Sequence, residues 1–196
     1  MSPMYQSLRE NIEKHIHLSD EEFTSFTGLF KLKTFDKKEM LLRQGEVCRF
    51  EGFVIKGIFR VFHVDLNGNE QVLYFALENW WITDIDSFSN GLPSQLSIEA
   101  LEDSEVLLIS KSDKEYAYAH FPIVEKLFRI MTQKTHVALQ RRMIDNLSKT
   151  ADQRYLDFIA KYPILYQRLS NLHIAAYLGI SHEFLSKIRR KLAGKN

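Results

Sequence analysis

Close to the end of the sequence, His182, Glu183, Ser186, Lys187, Arg189 and Arg190 fall on one side of a helical repeat whose other side, Leu185, Ile188 and Leu192, is apolar. The chemistry this mixture suits is the reading of a base-paired nucleic acid. A carboxylate such as Glu183 accepts from the amino group of cytosine, and a lysine such as Lys187 reaches a guanine edge or a phosphate. Glu183 also suits the positive end of a helix dipole. Phe184 stands among them, either packed inward or set against a thymine methyl.

Such a face must be held by a second helix. Ser170 is a good N-cap, and Leu172, Ala175, Ala176 and Leu178 after it form an apolar helical face. Ala175 lies where two helices approach closely. Gly179 follows, where a left-handed backbone costs glycine little, and Ser181 offers a second N-cap. Two short helices with a tight turn are the build of a helix-turn-helix DNA reader. The plainer reading is an amphipathic helix pair with a solvated basic face. Charge separates the two readings. Residues 141–196 hold 11 Lys and Arg against 4 Asp and Glu, a net of +7, whereas residues 1–140 hold 15 against 21, a net of −6. A basic segment beside phosphates releases counterions and gains salt-dependent affinity. The acidic remainder has another task.

Composition bounds what that task is. The 196 residues make one large domain or two small ones, and 45% hydrophobic content is ample for a core. No apolar run approaches the roughly 20 residues that span a bilayer, and Met1 to Gln6 carry no signal-peptide pattern. Cys48 is the single cysteine, which excludes an intrachain disulfide and a cysteine metal cluster. A cytoplasmic location is expected.

Residues 5–16 read as a helix. Ser19 and Glu22 form a capping box, with Leu18 placed to staple to Phe23. From Phe35 to Ser110 the texture changes to short β-like runs: 40–42, 53–55, 58–62, 71–75, 96–98 and 106–109. Turn signals separate them at near-regular spacing, Asn67-Gly68 the strongest, which argues a barrel or sandwich. Ser112 and Glu115 suggest a second capping box. From Pro122 to about Leu147 a long helix carries a stripe of Ile123, Leu127, Ile130, Met131, Val137, Ala138, Ile144 and Leu147. It is longer than a small domain buries alone and suits a dimer seam. Residues 150–162 read as another helix, ending before Pro163.

The order of β-roll, long helix and basic helix-turn-helix resembles the Crp/Fnr family, the bacterial transcription regulators related to the cyclic AMP receptor protein. The resemblance covers roughly residues 20 to 192. It is carried by Leu42-Arg43-Gln44-Gly45-Glu46 entering the roll and by Phe53-Val54-Ile55-Lys56-Gly57. Asn69-Glu70-Gln71-Val72-Leu73 and the stretch from Ala100 to Val106 complete it. It implies an α+β fold: an N-terminal cyclic-nucleotide-binding-like β-roll, or double-stranded jelly roll, with flanking helices (1–121), a dimerisation helix (122–148) and a C-terminal winged helix-turn-helix domain (149–196). It also implies a homodimer on double-stranded DNA, with RNA polymerase and a small-molecule effector as further partners. His182, Glu183 and Lys187 become the reading positions, Ser170, Asn171 and Ser181 the phosphate contacts, with Ser186 and Arg190 on the same face. The family often has arginine at the first and third reading positions. Histidine and lysine lack arginine's bidentate fork, so the operator is expected to differ.

In the family's cyclic-nucleotide binders a glutamate holds the ribose, and an arginine with backbone amides holds the phosphate. The matching stretches here are Thr83-Asp84-Ile85 and Ser94-Gln95. Asp84 can accept from a hydroxyl, but the arginine is missing and no basic residue lies between Trp81 and Ser110. A buried phosphate without a cation is poorly compensated, so a degenerate site is expected. Trp81, Thr83, Asp84, Ser94 and Gln95 remain the candidates for an unknown ligand. An iron–sulfur cluster needs about four cysteines, a haem would find only His63 and His120, and the 7 histidines are scattered. No cofactor, metal site or catalytic residue is expected. The runner-up reading is a small-molecule-binding roll whose C-terminal helices mediate protein contacts. An enzyme on a jelly roll has no nucleophile–base pair to support it.

Overall fold

A computed structural model describes residues 3–193, with side chains from 5 to 192. The chain packs as two compact units. One joins the residues up to Val61 with Phe75–Thr135, and the other joins Phe62–Tyr74 with the residues from His136 onward.

The first unit opens with α1 (Pro3–Glu13) and α2 (Asp20–Thr27). The capping box of α2 is complete: the Ser19 hydroxyl accepts from the Glu22 N–H, and the Glu22 carboxylate accepts from the Ser19 N–H. Eight strands follow: β1 (Lys31–Phe35), β2 (Met40–Leu42), β3 (Phe50–Lys56), β4 (Phe59–Val64), β5 (Glu70–Ala76), β6 (Trp81–Ile82), β7 (Ser97–Ala100) and β8 (Ser104–Ser110). A short helix, α3 (Ile85–Asn90), interrupts them. They form two four-stranded sheets, ordered β1-β8-β3-β6 and β2-β7-β4-β5. The chain passes repeatedly from one sheet to the other, which is the expected double-stranded roll. Antiparallel ladders set Lys31 against Leu108, Phe53 against Leu107 and Met40 against Glu99. Gly57 ends β3 with φ at 95°, and a Cβ there would lie 2.0 Å from the Ser104 hydroxyl, so both backbone and space demand glycine. Leu8, Ile12, Phe23, Phe26, Phe53, Leu107 and Phe128 share one buried core, which seats the flanking helices on the roll.

β1, β6 and α3 are absent from the sequence reading. β1 exposes four of its five residues, and β6 is two residues long, so neither leaves an alternating pattern. The second capping box is also corrected. Ser110, not Ser112, caps α4 (Lys111–His120), accepting from the Asp113 N–H at 3.1 Å. β8 delivers Ser110 in the extended backbone an N-cap needs, and Ser112 is already helical.

α5 (Pro122–Ser148) is 27 residues long, about 40 Å. Its first turns bury Val124, Leu127 and Phe128. From Thr132 to Gln140 every side chain is exposed. Val137, Ala138, Ile144 and Leu147 of the expected stripe are exposed on the outer half, as are Leu139 and Met143 beside it, so this part of the stripe finds no cover among the described residues.

In the second unit, Asp65 locks the β4–β5 hairpin, accepting from the backbone N–H groups of Asn67 and Asn69 at 2.8 and 2.9 Å. The helices there are α6 (Ala151–Lys161), α7 (Pro163–Arg168), α8 (Asn171–Leu178) and α9 (His182–Ala193). Thr150 and Gln153 form the capping box of α6. α7 is unforeseen: Pro163 both ends the preceding helix and occupies the first turn of a new one. Short joins apart, everything from Pro122 to Ala193 is helical. The wing of the expected winged motif therefore has no strand among the described residues.

Candidate nucleic-acid interface and effector loop

The geometry of α8 and α9 follows from their ends. The Ser170 hydroxyl accepts from the His173 N–H at 3.3 Å, opening α8. Gly179 closes it in the left-handed region, φ 64°, with its N–H donating to the Ala175 carbonyl. Ser181 caps α9, its hydroxyl accepting from the Phe184 N–H at 3.1 Å. Ile174, Ala175, Leu178, Leu185 and Ile188 are buried between the helices and their neighbours. Leu172 is not among them. Assigned to the apolar face by spacing, it lies in the first turn of α8 and is 61% exposed.

The outward face of α9 presents His182, Glu183, Lys187 and Arg190, all exposed, with Ser186 half-buried. The Ser186 hydroxyl donates to the His182 carbonyl at 3.0 Å. Glu183 is held below the usual carboxylate range, first by its own backbone N–H and the Ser181 hydroxyl, then by the charges of His182 and Lys187. It is therefore a fixed anion at the start of the helix. Lys187 and Arg190 form no ion pair among the described residues. Two other cations of this helix are engaged internally. Arg189 donates to the Asn171 side-chain carbonyl and lies 6.0 Å from the centre of the Tyr166 ring, and Lys191 pairs with Asp152. Asn171, expected at a phosphate, thus gives its oxygen to Arg189. Phe184 does not pack inward; it is 46% exposed.

In the roll, the five ligand candidates separate. Trp81 is packed edge-on against Phe30, Phe53 and Phe128, and its indole N–H donates to Asn11 of α1 at 3.1 Å. It is part of the core. Thr83 donates to the Phe50 carbonyl at 2.9 Å. Asp84 and Ser94 do meet, 2.5 Å apart, with Asp84 only 6% exposed. Asp84 caps α3, accepting from the N–H groups of Asp86 and Ser87 at 3.1 and 3.3 Å. The Ser94 hydroxyl, its proton given to Asp84, also accepts from the Leu96 N–H at 2.9 Å. Gln95 points to solvent. The loop is closed on its own hydrogen bonds.

The roll holds two buried ion pairs that local spacing did not reveal. Arg60 on β4 donates to Glu99 on β7 at 2.5 Å, and Lys114 pairs with Glu51. The Lys114 ammonium lies 4.1, 5.2 and 5.6 Å from the ring centres of Phe128, Phe88 and Tyr118. Burial and the charges of Glu51 and Glu125 push the Tyr118 hydroxyl far above its usual range. Both pairs join residues more than 35 positions apart, so only the folded chain discloses them. Among the described residues, no three His, Cys, Asp or Glu side chains stand close enough to hold a metal ion. Among them, too, no helix is long and apolar enough to cross a membrane.

Residues 32–119 match the family model of the cyclic nucleotide-binding domain. A comparison with curated protein sequences finds no significant match. Solved structures share the fold over most of the chain. FixK2 from Bradyrhizobium japonicum is 22% identical, covers 85% of each chain and superposes with a TM-score of 0.72. A CooA mutant from Carboxydothermus hydrogenoformans is 16% identical, with a TM-score of 0.73 over 95% of this chain and 84% of that one. CLP of Xanthomonas campestris, described as a c-di-GMP responsive global regulator, is 14% identical, with a TM-score of 0.75 over 90% and 93%. The resemblance to the Crp/Fnr regulators is borne out at the level of the fold.

Proposed function

We propose that this cyclic nucleotide-binding domain, carried on the fold of the Crp/Fnr regulators, serves a homodimeric, sequence-specific DNA-binding transcription regulator whose ligand loop no longer takes a cyclic nucleotide. One observation carries the reading: α9 turns an exposed His182, Glu183, Lys187 and Arg190 outward from a tightly capped helix pair. The uncovered apolar residues on the outer half of α5 support pairing with a second copy. The closed loop supports the loss of cyclic-nucleotide binding. Asp84, which matches the family's ribose-holding glutamate, already accepts from two backbone amides and Ser94, so little of its accepting capacity is left for a ribose hydroxyl. Arg60, a buried guanidinium of the roll, is neutralised by Glu99. Displacing either partner leaves a buried charge unpaired, which costs several kcal/mol.

The proposal includes a cytoplasmic location, contact with RNA polymerase and no enzymatic step. The reading is tested by genome-wide selection of bound DNA with the purified full chain, with and without cell metabolites. A palindromic motif with half-sites about one helical turn apart is expected, and recovery of random sequence would refute it. Calorimetry with cyclic AMP is expected to show no saturable heat. Micromolar binding would overturn the degenerate site.

A further inference from the structure

The apolar side of α9 is folded away: Leu185 and Ile188 are buried. Phe184 is different. It is 46% exposed, the one large apolar side chain of α9 that the fold leaves uncovered among the described residues. Its backbone is held where it stands. The Phe184 N–H donates to the Ser181 hydroxyl at 3.1 Å, and the Leu185 N–H donates to the Ser181 carbonyl at 3.0 Å. With the first turn fixed and Leu185 anchored in the core, the ring of Phe184 keeps to the flank of the helix. At the α-helical advance per residue it lies about 60° round from Lys187, one turn earlier.

The neighbours of Phe184 define the surface that would cover it. Lys187 and Arg190 are exposed and form no ion pair among the described residues, so they attract a polyanion. Glu183, next to Phe184 in the chain, is a fixed anion held by its own backbone N–H and the Ser181 hydroxyl. A fixed carboxylate is repelled by phosphates, whereas the amino group of cytosine can donate to it. The turn that carries Phe184 therefore suits base edges rather than the phosphate backbone. A benzyl ring exchanges no hydrogen bond with the donors and acceptors of the major groove. The one apolar group that base edges present there is the C5 methyl of thymine. We infer that Phe184 is a specificity-determining residue whose ring covers a thymine methyl in each half-site, beside the base met by Lys187. The inference rests on the proposed DNA-binding function and deepens it, naming one base and the group by which that base is known.

The test uses the full chain and the duplex recovered by DNA selection, with each thymine of the half-site replaced in turn by deoxyuridine. The exchange removes one methyl and leaves every charge and hydrogen-bonding group in place. One thymine per half-site is expected to respond. Its replacement should weaken binding about fourfold in one half-site and about fifteenfold in both. Phe184→Ala should bind the thymine and uridine duplexes alike, and circular dichroism checks that it folds. Phe184→Leu, which keeps an apolar side chain, should recover part of the discrimination. A half-site with no methyl-sensitive thymine overturns the inference. Methyl sensitivity that persists in Phe184→Ala assigns the methyl to another residue and also overturns it. So does an equal loss of affinity by Phe184→Ala on thymine and uridine duplexes, which sets the ring against sugar or protein. Tight binding to a defined motif without methyl sensitivity leaves the DNA-binding reading standing and removes only the role of Phe184. Selection that recovers no motif removes both.

Discussion

On the proposed DNA-binding reading, Lys187 is the residue on which base preference turns. It is exposed, carries no ion pair among the described residues, and lies one helical turn from the fixed anion Glu183. An ammonium offers a guanine edge a point charge, whereas a guanidinium offers two parallel donors to O6 and N7. Lys187→Arg should therefore sharpen the half-site by about 1–3 kcal/mol at one position, seen as one base becoming strongly enriched in DNA selected by the variant. An unchanged motif would mean that Lys187 meets only phosphates. Position on the helix was legible from spacing, because His182, Glu183, Lys187 and Arg190 need only the 3.6-residue period to be placed. The partners of Arg189 and Lys191 were not. Asn171 and Asp152 lie 18 and 39 positions away, and nothing local distinguishes those two cations from Lys187 and Arg190.

Among the elements, those closed by local chemistry were readable before folding. Ser19 with Glu22, Ser170, Gly179 and Ser181 each act within four residues of their own backbone. α7 and α3, six residues each, and β6, two residues, were not readable, since they are too short to show a period even where Asp84 and Pro163 start the helices locally. Gly179 tests the local side of this contrast. Its φ is 64°, and a Cβ there would meet nothing within 4 Å, so Gly179→Ala adds backbone strain without a clash. A loss of about 1–2 kcal/mol is expected, read from denaturant unfolding, and Gly179→Asn should recover part of it. A loss near zero would mean that the turn relaxes into another conformation. α5 carries the second element-scale prediction. Ile144 and Leu147 are 53% and 79% exposed, and burying such side chains against a partner is worth about 1.5–3 kcal/mol each. Replacing both by lysine should convert a dimer to a monomer in analytical ultracentrifugation while leaving the helical signal intact. A dimer that survives would place the seam elsewhere.

At the scale of the molecule, the decisive property is a chain of net charge +1 built from an acidic and a basic part. In the proposed regulator, affinity for DNA must then come from a few cations placed on one face, because the acidic part contributes repulsion. Such affinity is set by counterion release, so the logarithm of the binding constant falls linearly with the logarithm of salt, by about 0.9 for each neutralised phosphate. Arg190 is exposed and carries no ion pair among the described residues. Its replacement by glutamine removes one contact per protomer, and so two per dimer. The salt slope measured on a specific duplex should drop by about 2, with the preferred sequence unchanged, since phosphate contacts position the protein and carry no base information. A drop of about 1 would indicate that a single protomer engages the duplex. An unchanged slope would remove this face of α9 from the interface, and with it the observation on which the DNA-binding reading rests.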